Sequence, residues 1–156
     1  MSRNISSRWA KMSSALTDLD AELSAWCQSY VDAFNTEDAS AIAAHWTFPA
    51  LSTQAGRSFT FKSEEHFAKN TEILLGFYQA QSVHRVERAL VSAQRLHRDT
   101  ASMIVSDVMY TADGQEIAHW QAAYVLQRVD GTWKAVMAVA DGETEAWAAR
   151  GTPLSG

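Results

Sequence analysis

The chain has 156 residues, a formal net charge of −5 and a composition that is 47% hydrophobic, with six Trp. A length of this order makes one domain that buries about two-thirds of its unfolded surface. The hydrophobic content excludes an intrinsically disordered chain, the acidic balance argues against a nucleic-acid binder, and no run approaches the roughly 18 apolar residues of a membrane span.

Residues 1–16 are polar, Ser-rich and aperiodic, and read as a flexible or frayed segment ahead of the domain. Arg3, Arg8 and Lys11 have no continuous apolar core after them, so a secretory signal is not expected. Thr17 opens a helix with Asp18 and Asp20 in its first turn, where acids suit the helix dipole. Leu23, Trp26, Cys27, Tyr30, Val31 and Phe34 then fall on one amphipathic stripe. Cys27 is the one cysteine, which excludes an internal disulfide, fits a reducing cytoplasm and reads as a buried thiol.

Asn35 or Thr36 caps a second short helix, Glu37 to about Trp46, which Pro49 stops. Residues 50–62 form a hairpin turned by Gly56, in which SFTFK alternates with period two. Ser63 caps a third helix with Phe67, Thr71, Leu74, Phe77 and Tyr78 on one side. Four long alternating runs follow, at 82–96, 100–111, 116–129 and 132–141, with Asp130-Gly131 as the clearest hairpin signal. Residues 143–156 read as a small, polar C-terminal tail apart from Trp147.

Helices gathered first and antiparallel strands last make the class α+β. The architecture is a conical α+β barrel: three N-terminal helices packed on a strongly curved, mostly antiparallel sheet, in a single domain over residues 17–142. With QSYVDAFN early and YVLQRVDGTWK late, this organisation resembles the nuclear-transport-factor-2-like superfamily, in the branch of the ketosteroid isomerases and polyketide-cyclase-like proteins. The resemblance covers residues 19 to 142. It implies a curved sheet around a conical pocket, and a homodimer through the sheet.

The resemblance places Tyr30 at the isomerase's oxyanion tyrosine. That chemistry needs an Asp base, with a Tyr and a protonated Asp donating to the oxygen on which negative charge grows. The base position falls at Gln54 and the second acid at Ala123, so steroid isomerisation is not expected. If Ala123 faces inward, period two turns Ile117, His119, Gln121 and Val125 inward as well, with Ile104, Ser106 and Val108 on the preceding strand and Val136, Ala138 and Ala140 on the last. Trp46 and Phe77 complete the expected ligand-binding set with Gln54.

Tyr30 and His119 are then the candidate catalytic groups. Tyr30 is either a packed tyrosine with a backbone partner or a pocket donor, and His119 either a solvated histidine or the acid–base group. In this register Asp107 faces outward, and a slip of one residue would make it the carboxylate of the cone. The histidines show no metal-ligand spacing, no phosphate loop is present, and no cofactor is expected.

The functional expectation is a pocket protein of the isomerase-like or cyclase-like type, binding or transforming an apolar or aromatic metabolite. An enzyme here would be a cofactor-free acid–base isomerase, cyclase or lyase. The alternative is a scaffold whose cavity is filled by Trp46, Phe48 and Phe77. Expected partners are a small hydrophobic molecule and a second copy, docked through an outer sheet face carrying Val105, Met109, Trp120, Tyr124, Trp133 and Met137.

Overall fold

The computed structural model describes residues 3–154, with side chains described from Asp18 onward. Helix α1 (Arg3–Asn35) begins ahead of the expected Thr17. It is followed by α2 (Ala39–Ala43), β1 (Trp46–Gln54), β2 (Arg57–Phe61), α3 (Glu64–Ala80), β3 (Arg85–His97), β4 (Thr100–Tyr110), β5 (Glu116–Val129), β6 (Thr132–Val139) and α4 (Asp141–Ala149). The six strands form one sheet in the order β2-β1-β6-β5-β4-β3. Neighbours are antiparallel except for β1 and β6. The expected α+β class and curved, mostly antiparallel sheet are therefore present.

The stripe on α1 packs as its spacing requires. Leu19, Leu23, Trp26, Cys27, Tyr30 and Val31 are all buried. Burial pushes the Cys27 thiol up to about 11, so it packs as a protonated, unreactive group. Ser63 accepts from the His66 amide and caps α3 as expected.

Two boundaries differ from the sequence reading. The second helix is capped by Asp38, whose side chain accepts from the Ala41 amide, and it ends at Ala43. Trp46 and Pro49 belong instead to strand β1. At the other end, the expected tail is helix α4, which buries Trp147 completely. A single large aromatic outweighed the small polar residues around it, because a buried indole contributes several times what each exposed residue does.

The register of β4 and β5 is the main correction. Arg88, Asp107 and Trp120 stand opposite one another across β3, β4 and β5, as do Leu90, Val105 and Ala122. Directly opposed residues of an antiparallel pair share a face. This face is the concave one, since Met103, Val105, Asp107, Met109, Trp120, Ala122, Tyr124 and Leu126 are all buried. The expectation that Val105, Met109, Trp120 and Tyr124 face outward is overturned. Trp133 is buried too, with its indole donating to Glu22 of α1 at 2.7 Å.

Candidate functional site

Between the helices and the concave face lies a cavity of about 380 Å³, within the size range of small-molecule sites. Tyr30 and Phe34 from α1, Trp46 from β1, Phe67 and Phe77 from α3, and Trp120 and Tyr124 from β5 form its walls. Ionisable side chains enter from four elements: His66 (α3), Arg88 (β3), Asp107 (β4) and Glu143 (α4).

Arg88 and Asp107 are paired by the sheet register. Arg88 donates from Nε to Asp107 Oδ1 at 2.7 Å and from Nη2 to Oδ2 at 2.8 Å. Nη2 also donates to the Tyr124 hydroxyl at 2.9 Å. The guanidinium lies 4.8 Å from the Tyr124 ring centre and 5.2 Å from that of Tyr30. The two charged side chains are only 6% and 4% exposed. A pair this buried is kept by its bidentate geometry, since charges taken from water need every available partner. Nη1 of Arg88 is buried with no partner among the described residues.

Glu143 is held differently. Its Oε2 accepts from the Tyr78 hydroxyl and, at 3.2 Å, from the Trp147 indole. No described hydrogen bond reaches Oε1. Burial raises its pKa to about 6; the Tyr78 and Trp147 bonds oppose this, Asp107 adds to it, and Arg88 opposes it. A carboxyl poised near neutrality in a cavity can exchange a proton with a bound molecule.

Tyr30 borders this cavity. Its hydroxyl accepts from the Trp46 indole at 3.0 Å, and burial, then the neighbouring Tyr124, push its phenol far up, so it stays protonated. The expectation that no acid stands in the cone with it is corrected by Asp107 and Glu143.

Of the sequence-derived set, Tyr30, Trp46, Gln54, Phe77, Ala138 and Ala140 line the cavity. Gln54 accepts from the Thr144 hydroxyl at 3.1 Å, which ties the end of β1 to α4. Ile104, Ser106, Val108, His119, Gln121, Val125 and Val136 do not line it. Ile104 is 41% exposed, and His119 lies on the convex face, paired with Glu116 at 3.1 Å. The cause is the one-residue slip in anchoring β5: with Trp120, Ala122 and Tyr124 inward, His119, Gln121, Ala123 and Val125 turn outward, while Ile117, at a register shift, stays buried.

Val136 drops out for another reason. The register between β5 and β6 shifts by a residue between Leu126 and Val125. Arg88, Asp107, Tyr124 and Glu143 are among the polar groups in the lining that the sequence reading did not place in the site. Two of them carried a readable signal. Glu143 and Trp147 are one helical turn apart in the tail, and an Asp inside an apolar strand needs a cation on the strand beside it.

Among the described residues no group of three or more His, Cys, Asp or Glu is placed to hold a metal ion. None of the described helices is long and apolar enough to cross a membrane.

A family model described as "NTF2-like protein (DUF6841)" matches residues 21–143. No curated protein matches. Among solved structures, an NTF2-like protein with a cystatin-like fold from Novosphingobium aromaticivorans is 17% identical, with 99% of this chain and 100% of that one covered at a TM-score of 0.65. A ketosteroid isomerase-like protein from Erwinia carotovora atroseptica is 19% identical, with 77% and 92% covered at 0.57. A domain of unknown function with a cystatin-like fold from Nostoc punctiforme is 16% identical, with 76% and 74% covered at 0.62. At these identities the likeness is one of fold.

Proposed function

The chain belongs to the NTF2-like protein family, and from that premise we propose that it is a small-molecule pocket protein whose cone binds an apolar or aromatic metabolite. The observation that carries this reading is the aromatic cavity of about 380 Å³ with Arg88, Asp107 and Glu143 at its wall. Apolar walls with a few convergent polar groups are what a small-molecule site requires. A scaffold with a self-filled cavity has less support. Trp46 and Phe77 stand in the wall and leave the space open, while Phe48 packs on Phe67 at 5.6 Å between ring centres. Loss of the carboxylate at Gln54 still speaks against steroid isomerisation.

The reading is tested by filling the cavity. Ala122 sits on its floor, so Ala122→Trp should occupy the space a ligand needs. In a fragment screen read by ligand-observed NMR, neutral one- and two-ring aromatics should bind the wild type. The variant, shown folded by circular dichroism, should lose them by about tenfold or more, equivalent to ~1.4 kcal/mol. Fragments that bind both proteins alike would place their site outside the cone.

We also propose a homodimer through the convex sheet face, with its residues revised from the sequence reading. Ile104 is 41% exposed there, and opposed pairing puts Ala123 beside Ile104 and Val125 beside Ser102 on the same side. An antiparallel sheet with a wet face should alternate with polar residues instead. Light scattering at tens of micromolar should give twice the chain mass, and Ile104→Lys should halve it. A monomeric wild type would remove the proposal.

A further inference from the structure

We propose that the cavity takes a protonated amine carried on an aromatic or apolar body, with Glu143 as its counter-ion. This rests on the cone being a small-molecule site and adds the chemical class of what fills it.

The argument begins with the charges. Arg88 and Asp107 satisfy each other through two hydrogen bonds of 2.7 and 2.8 Å. Their pair contributes no net charge to the cavity. Glu143 has no such cation. Its two bonds come from a phenol and an indole, both neutral and both directed at Oε2. Oε1 is therefore left to accept from a ligand, and the ionised carboxylate makes the cavity net negative.

The walls point the same way. Aromatic faces attract a cation through their quadrupole, and the attraction grows when water is excluded. Arg88 already uses the rings of Tyr30 and Tyr124, while Trp120 and Phe77 are not so occupied among the described cation–ring contacts. A carboxylate ligand could accept from the unpartnered Nη1 of Arg88, but that guanidinium is already neutralised by Asp107, so the ligand would add a further negative charge beside Asp107 and Glu143. A neutral ligand would leave the Glu143 charge unpaired in the fold, which costs more than pairing it.

Binding should then be coupled to the proton on Glu143. Tyr78 on α3, Arg88 on β3 and Asp107 on β4 act on it, Tyr124 on β5 feels its charge, and His66 on α3 and Tyr30 on α1 line the same cavity, while β1 and β6 present only uncharged residues such as Ser52, Gln54 and Ala138. Glu143 is largely ionised at neutral pH and protonated as pH falls through about 6. An amine arriving at about pH 5 must displace that proton, so its affinity there should be about tenfold below that at about pH 7.5, with close to one proton released per amine bound.

The experiment is calorimetry on the full chain with matched pairs: tryptamine against tryptophol, and 2-phenylethylamine against 2-phenylethanol. Each is run at both pH values in buffers of differing ionisation enthalpy. The expected result at the higher pH is an amine at least about tenfold tighter than its alcohol. That preference should shrink at the lower pH with proton release, and vanish in Glu143→Gln, which keeps an acceptor for Tyr78 and Trp147. Alcohols that bind the wild type as tightly as the amines would overturn the counter-ion and leave the cavity reading standing. An amine preference that ignores pH and releases no proton would equally overturn it, and so would amines that fail to bind at millimolar concentration while neutral fragments do. Should Glu143→Gln not fold, the wild-type pH profile and proton count decide alone.

Discussion

Asp107→Ala should destabilise the fold by about 3–5 kcal/mol, the cost of leaving one member of a buried ion pair without the other. The residue left behind is Arg88, 6% exposed, with only the Tyr124 hydroxyl still accepting from it. Arg88→Ala should be comparably costly, because Asp107 is then an unpaired carboxylate in the same wall. The double replacement Arg88→Met with Asp107→Leu should return most of the loss, since an apolar pair of similar volume has no charges to desolvate. Urea unfolding with an unchanged m-value would read all three. A single-variant loss below about 1 kcal/mol is the value of a surface pair. It would mean that water entering the cavity solvates the guanidinium, and the cone would then be wetter than its walls suggest.

That pair also shows what the amino-acid pattern could and could not convey. The strand limits followed from alternation and turn residues, and β3 to β6 lie close to the expected runs. The face each residue takes did not follow. Both faces of β4 and β5 carry apolar residues, so alternation between Val105 and Ile104, or Ala122 and Ala123, holds no polarity contrast to decide between them. The resemblance alone sets the register, and its second-acid position at Ala123 lies one residue from the inward Ala122 and Tyr124. Within β3–β4 a bulge-free count from the His97–Thr100 pair puts Leu90 opposite Asp107. Two register shifts, at Arg95/His97 and Leu90/Ser92, bring Arg88 there instead. Bulges of this kind depend on local twist and leave little mark in composition. His119 and Asp107 were thus exchanged between the faces: a histidine that looked catalytic is on the convex side, and a carboxylate that looked solvated has its cation beside it.

Trp147→Ala should cost about 3–5 kcal/mol and release α4 from the mouth of the cone, the largest effect expected of any change outside the sheet. Trp147 is 0% exposed. Its ring meets Phe77 edge-on at 5.1 Å between centres and lies 6.1 Å from Tyr78 and 6.2 Å from Trp120. Its indole also holds Glu143, so losing the ring removes packing and one of the two bonds that fix the carboxyl. The start of the same helix is fixed by contact with β5: a Cβ on Gly142 would stand 2.2 Å from the Gln121 carbonyl oxygen. Gly142→Ala must therefore push α4 off β5, whatever happens at Trp147. Hydrogen exchange should show protection lost over residues 141–149 in both variants, with β3 and β4 keeping theirs in proportion to the remaining stability. Trp147→Phe should keep most of the packing and much of the protection. With α4 displaced, Glu143 returns to water and its pKa falls toward the ordinary carboxylate range, so any pH-dependent amine preference should disappear with it. Wild-type stability and protection in Trp147→Ala would show that α4 is not what closes the cone, and Glu143 would lose its claim to face the ligand.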